Sequence, residues 1–279
     1  MSYYKNNTIS TRTDNITHLY KNPQFHAKLI KLLKKILKYS NINVNDTIQF
    51  LRQLNGSNTD VKFFNHIISK IVKMQPVYSE KYDFEKAERR WETIEPNKTK
   101  IVTRLLEFGG NVGNTAYALG QYNNLTKKDT LVADIPEWEG IKWEPRKDIT
   151  FINAENLDEI KSNSVDMITV FHVLHHINKQ DITKILKQFN RILTSDGFIV
   201  LYEHDCGNKN MAAFIDIEHA LFDAITLRKP YDKFVKSYYA KYYSFKQWQF
   251  MFENSGFKKY HSIELRNLDN SFYMFFKKI

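Results

Sequence analysis

Leu105 to Thr115 reads LLEFGGNVGNT, a short apolar run holding one acid, followed by glycines at 109, 110 and 113. Glycine tolerates positive φ and leaves its Cα bare, so three in five positions mark a sharp turn or a close approach of ligand to backbone. Taken alone, the stretch is equally a ligand cradle or a tight strand-to-helix turn. A glycine-rich loop of the usual kind would carry glycine where Asn111 stands.

The same rhythm repeats downstream. Apolar runs lie at Ile101–Phe108, Thr130–Ala133, Ile149–Ile152, Val165–Phe171 and Phe198–Tyr202. Between them come helical patterns, one from Asn114 and one over Asp181–Ile192 with Asp181 as its cap. Short strands alternating with helices predict an α/β fold with a doubly wound, mostly parallel sheet. The end differs. A helix over Ser244–Asn254 stops at Gly256, and FKKYHSIEL and SFYMFFKKI, joined by RNLDN, form a C-terminal antiparallel hairpin that brings the sheet to seven strands.

Upstream, residues 1–22 are polar and read as a flexible N-terminus. Residues 23–99 read as a basic helical region. Phe25, Leu29, Leu32, Leu33, Ile36 and Leu37 share one helical face, with Lys28, Lys31, Lys34, Lys35 and Lys38 largely elsewhere. Asp46 is expected to cap a helix over Thr47–Leu54 that stops at Gly56. A third helix runs from Asp60 with Phe63, Phe64, Ile67, Ile68, Ile71 and Val72 inward, and a fourth covers Phe84–Ile94. Residues 100–279 then form the α/β domain, with a lid insertion over 207–243.

Charge follows this division. Residues 1–100 hold 18 Lys and Arg against 9 Asp and Glu, and the other 179 hold 23 against 22. A basic segment beside a nearly neutral domain predicts a polyanionic partner such as RNA; a solvated lysine-rich surface is the plainer alternative. A hydrophobic fraction of 42% over 279 residues allows a sizeable core. No run approaches the roughly 18–20 apolar residues that span a bilayer, so no membrane partner is expected. MSYYKNNTISTRTDN has no apolar signal core. The single cysteine, Cys206, excludes an intramolecular disulfide and a cysteine-based zinc site, which fits a reducing, cytoplasmic setting.

In a sheet of this kind ligands bind at the carboxyl ends of strands, where the strand order reverses. Glu107 sits there to fix the loop or to accept from a cationic ligand group. TLVADIP ends the second strand on Asp134, whose carboxylate can take both hydroxyls of a ribose. FINAENL places the amide of Asn153 for an adenine edge, and SNSVDMITVFHVLHHI supplies Phe171 and Leu174 to flank the ring.

The order Glu-x-Gly-x-x-x-Gly, Asp134, NAENL, SVDMITVFHVLHHI, FNRILTSDGFIVLYE and YYSFKQWQFMFENSGF resembles a class I S-adenosylmethionine-dependent methyltransferase, over about residues 100–279. The resemblance implies S-adenosyl-L-methionine as cofactor and methyl transfer as activity. It implies that Glu107, Gly109, Gly110, Asn111 and Gly113 hold the methionine part and that Asp134 binds the ribose. Asn153 and Ala154 would then meet the adenine, with Phe171 and His172 lining the pocket near the sulfonium.

Three departures stand out. Asn111 replaces a glycine, but Asn tolerates left-handed geometry better than most residues. Asn153 stands where aspartate is common. The link IPEWEGIKWEPRKD lacks helical periodicity, so the helix of that connection is expected to be missing or very short.

For an acceptor hydroxyl the transfer needs a base. The candidates at the ends of strands four and five are His175, Glu203 and His204, with His176 and Asp205 beside them. No metal is expected, because adjacent histidines on an extended segment point opposite ways. In the insertion, Tyr231, Tyr238, Tyr239, Tyr242 and Tyr243 interleave with Lys233, Lys236 and Lys241, a pattern open to base stacking or to packing of a lid helix. The acceptor is thus an RNA, a cap included, or a small molecule. The alternatives are a dinucleotide oxidoreductase, which would favour Gly-x-Gly-x-x-Gly, and an inactive methyltransferase-like module with an RNA-binding helical region.

Overall fold

The computed structural model of the chain describes residues 23–38, 40–53, 60–138, 141–142, 144–265, 268 and 270–279. Leu54, Gly56 and the expected flexible segment 1–22 lie outside them, as does the side chain of Phe63. In chain order the helices are α1 (Pro23–Leu37), α2 (Val44–Gln53), α3 (Asp60–Lys73), α4 (Lys81–Ile94), α5 (Asn114–Tyr122), α6 (Lys179–Ile192), α7 (Lys209–Thr226), α8 (Tyr231–Ser237) and α9 (Phe245–Glu253). The strands are β1 (Leu105–Phe108), β2 (Thr130–Asp134), β3 (Glu137–Trp138), β4 (Ile141–Lys142), β5 (Thr150–Asn153), β6 (Val165–Phe171), β7 (Leu193–His204), β8 (Phe257–Glu264) and β9 (Ser271–Lys278).

These elements fall into two compact units. The first comprises residues 80–205 and 243–279, the second 2–79 and 206–242. The first is built on a seven-stranded sheet in the order β5-β2-β1-β6-β7-β9-β8. β1 pairs in parallel with both β2 and β6, while β9 runs antiparallel to both β7 and β8. Order reverses beside β1, so the LLEFGGNVGNT turn opens at the switch point where a doubly wound sheet leaves a crevice. β1 and β6 are buried along their whole length, as continuous apolar runs covered by helices must be.

Several expected boundaries move, each for a local reason. The first strand begins at Leu105 rather than Ile101, because the buried carboxylate of Asp166 takes the N–H groups of Thr103 and Arg104 and leaves Ile101 81% exposed. Asn178, not Asp181, caps α6: its side chain accepts from Asp181 N–H at 3.0 Å. Asp46 lies within the first turn of α2, and Asn43 accepts from Asn45 N–H at 2.9 Å before the helix begins. Among its described residues the β2–β5 link contains no helix, as its missing periodicity predicts, and β3 and β4 pair within it as a short antiparallel hairpin. Ser244 closes a capping box with Gln247 at the start of α9.

The second unit is helical. α1 and α3 both pack on α7, with Phe25 edge-on to Phe64 at 6.3 Å and to Phe214 at 5.8 Å. Leu29, Leu32, Leu33 and Leu37 bury one face of α1, while Lys28, Lys31, Lys34, Lys35 and Lys38 are exposed. Of the tyrosines in the insertion, Tyr231, Tyr238 and Tyr239 are buried, and Tyr242 donates to Asp216 at 2.8 Å. They pack the bundle and do not form an exposed stacking surface. Among the described residues no helix is long and apolar enough to cross a membrane.

Candidate active site

Glu107 is the third residue of β1 and is 3% exposed. Burial comes first in pushing its carboxyl up to about 7, against the opposing charges of Arg90 and Lys86 and the N–H of Ala116. One carboxylate oxygen, Oε2, has no hydrogen-bond partner in the structure, and neither has Nε of the buried Arg90. Two buried polar atoms without partners are costly, and a ligand offering both a donor and an acceptor would satisfy them.

The turn after β1 leaves room for such a ligand. Gly109 has φ +75°, and a Cβ there would lie 2.2 Å from Val173 Cγ2. At Gly110 a Cβ would come within 2.8 Å of Glu107 Oε2, so glycine keeps that carboxylate open. Asn111 adopts φ +53°, the left-handed geometry that Asn tolerates, and Gly113 at φ +92° leads into α5.

Asp134 ends β2 facing this loop. Its carboxylate accepts from Asn111 N–H at 2.6 Å and from Ile135 N–H at 2.7 Å, while burial raises its pKa to about 6. Each oxygen keeps a lone pair for a further donor. Asn153 begins a 3₁₀ turn over Ala154–Glu159, and its side-chain oxygen already accepts from Glu155 N–H at 3.0 Å. Ala154 packs, half-buried, against the core. Phe171 ends β6 with the Arg90 guanidinium carbon 4.0 Å from its ring centroid.

The ends of β6 and β7 bring the histidines together. His172 takes φ +56° and lies between Tyr202 (4.2 Å) and His204 (4.1 Å). Glu203 is fully buried. It accepts from Val173 N–H at 3.1 Å and Leu174 N–H at 2.9 Å, and pairs with His175 Nδ1 at 2.7 Å. Desolvation carries its pKa up to about 7. Leu174–His176 turns as a 3₁₀ helix and is not extended, so the rings of His175 and His176 lie 4.1 Å apart, contrary to the expectation that neighbouring histidines diverge.

Three groups beside the site were not expected from the sequence. Arg90 and Lys86 reach it from α4, where Asp83 holds Lys86 at 3.1 Å and Asn114 Nδ2 at 3.1 Å. Their four-residue spacing on the same face as Ile94 was the available signal, because two cations on an inward stripe call for an anionic partner. Arg146, from the link, donates its N–H to Val112 O at 3.0 Å and its guanidinium to Asn114 at 3.3 Å, and stacks over Tyr117 at 4.1 Å. It clamps the glycine turn from the link.

A family model described as a methyltransferase domain matches residues 74–262. No curated protein matches the chain. Among solved structures, the PH0226 protein from Pyrococcus horikoshii OT3 superposes with a TM-score of 0.50 at 15% identity, covering 69% of this chain and 91% of that one. A SAM dependent methyltransferase from Archaeoglobus fulgidus gives a TM-score of 0.48 at 14% identity over 70% of this chain and 94% of that one. At these identities the likeness concerns the fold. The family match covers well over half of the chain, on a sheet whose switch point carries the glycine turn and Asp134. The chain belongs to the methyltransferase domain family and has the class I S-adenosylmethionine-dependent methyltransferase fold.

Proposed function

We propose that the protein transfers the methyl group of S-adenosyl-L-methionine to an RNA or small-molecule acceptor. The observation that carries this reading is the pair of buried atoms without partners, Glu107 Oε2 and Arg90 Nε, beside a turn that glycine keeps open. An α-amino acid end, with one ammonium and one carboxylate, satisfies both. Glu107 accepts from the ammonium, and Arg90 and Lys86 offset the carboxylate. Asp134 takes ribose hydroxyls on its remaining lone pairs, with Asn153, Ala154 and Phe171 around the adenine.

When bound, the cofactor would supply an electrophilic methyl carbon, to which an acceptor nucleophile would bond in line as the carbon–sulfur bond breaks and S-adenosylhomocysteine leaves. The protein aligns the acceptor and excludes water. His172, half-buried at the end of β6, faces that step. His175 and Glu203 sit behind it with no exposure and fix the turn that presents His172, and His204 stacks on its ring. A proton leaving an acceptor hydroxyl passes to the His172 imidazole, the half-buried member of this set.

The inactive-module alternative loses its ground. Asn111 fits its left-handed position, and Arg146 holds the shortened link against the turn.

Calorimetric titration with S-adenosylhomocysteine tests the reading. Binding near micromolar, lost in Asp134→Ala and Glu107→Ala variants that remain folded, supports it. Absence of binding by the wild type overturns it.

A further inference from the structure

The two units divide the charge completely. Residues 2–79 and 206–242 hold 18 Lys and Arg against 7 Asp and Glu, a net of +11, while residues 80–205 and 243–279 hold 23 against 24, a net of −1. The whole positive charge of the protein therefore belongs to the helical unit. Part of it is organised. Lys28, Lys31, Lys35 and Lys38 recur at spacings of three, four and three, which keeps them on one side of α1 and just past its end, and Lys34 flanks them. All five are exposed, and α1 contains no acid. At a rise of ~1.5 Å per residue the stripe is ~15 Å long. Lys35 also pairs with Glu218 at 3.3 Å, so its charge is partly offset.

We infer that this stripe is a nucleic-acid site that grips the phosphodiester backbone without reading bases. This rests on the acceptor half of the function proposed above, not on methyl transfer itself. A row of ammonium groups along a helix binds a polyanion by releasing its counterions. Base reading by stacking would need exposed aromatic rings, and the tyrosines of residues 206–242 are instead spent on packing. A membrane surface is disfavoured by the same packing. An amphipathic helix enters a bilayer with its apolar face, and here Phe25, Leu29, Leu32, Leu33 and Leu37 already fill the core of the bundle.

The test uses the full chain and fluorescence anisotropy. The probes are a labelled single-stranded RNA of mixed sequence, about 20 nucleotides long, and a DNA of the same sequence, titrated over a range of NaCl concentrations. One variant reverses Lys28, Lys31, Lys34 and Lys38 to Glu. A matched control reverses the exposed Lys147, Lys161, Lys179 and Lys187 of the first unit. At about 0.7 per phosphate contact, losing four contacts lowers the salt slope by ~3, with an affinity loss well beyond tenfold near physiological salt. The control loses less than about threefold, and both variants keep the wild-type melting temperature and affinity for S-adenosylhomocysteine.

Equal binding of RNA and DNA, or a preference for RNA, both support the stripe, and the preference also favours an RNA acceptor. Equal losses in the two variants overturn the proposal, since net charge alone would then be acting. Wild-type binding to anionic phospholipid vesicles but to neither nucleic acid overturns it as well. Nucleic-acid binding that persists without any affinity for S-adenosylhomocysteine would sink the methyl-transfer reading and leave the stripe standing.

Discussion

The two units use ionisable residues in opposite ways. In the first unit the described residues bury Arg90, Glu107, Asp166, His175, Glu203 and His204, and the unit is close to neutral. In the second, the described residues bury Asp216 and Lys229, and the lysines of α1 stay in water while the net charge is +11. Buried charges are held in fixed geometry in low dielectric, where they orient a small ligand and titrate abnormally. Exposed lysines act through a screened field that is indifferent to detail. One unit gathers its ionisable groups inside the fold, and the other sets its lysines along an exposed line.

If that contrast is right, single substitutions should be severe in the first unit and mild in the second. Glu203→Ala is the harshest expected change. It strips partners from the N–H groups of Val173 and Leu174 and from His175, all deep in the structure. A loss of about 3–5 kcal/mol in denaturant unfolding is expected, the usual consequence of breaking a buried pair. A loss below about 1 kcal/mol would mean that the turn supports itself.

Glu107→Ala should weaken S-adenosylhomocysteine binding about 100-fold while leaving nucleic-acid binding intact. The wild type should also show a pH dependence with a definite sign. Burial raises Glu107 to about 7, and an ammonium favours its ionised form, so affinity rises with pH through about 7. Between pH 6 and pH 8 the gain should be about tenfold, and Glu107→Gln should flatten it. The unliganded protein should move the opposite way. Glu107 and Glu203 near 7 and Asp134 near 6 keep protons that the unfolded chain has released, so stability is lost as pH rises from the ordinary carboxylate range towards about 7. Melting curves at pH 5.5 and pH 7.5 would decide the sign.

Arg146→Ala keeps the backbone bond to Val112 but removes the guanidinium from Asn114 and Tyr117. It should cost about five- to tenfold in cofactor-site affinity, with faster amide exchange over residues 109–114 as its signature. An unchanged exchange rate would assign Arg146 to the link alone. Smallest of all, reversing Lys28, Lys31, Lys34 and Lys38 should alter folding stability by no more than about 0.5 kcal/mol, as expected for surface positions. A larger loss would show that the stripe supports the bundle and undo the contrast between the two units.

Much of the first unit was legible in one dimension. Strands of four to seven apolar residues, glycines at 109, 110 and 113, and acids where β1 and β2 end are local signals read over a few positions. Caps were misassigned at Asp46 and Asp181 because Asn and Asp compete for the same role, and the winner depends on where the chain enters the helix. The expectation for His175 and His176 failed because an extended segment was assumed where Glu203, 29 and 30 residues away from Leu174 and Val173, folds the backbone into a turn.

The sequence by itself determined the alternation of strands and helices, the glycine turn at the end of β1, the lack of helical periodicity in the 135–148 link and the family to which these belong. Each follows from periodicity or from backbone freedom, which adjacent residues decide. Only the tertiary structure set Arg90 and Lys86 against Glu107, placed Arg146 on the glycine turn, and gathered 206–242 with the N-terminal helices so that one unit carries all the net charge. Those pairings join residues far apart in the chain. They exist because burying the apolar faces of the helices and the sheet brings their polar neighbours together, and no local pattern records which neighbours those will be.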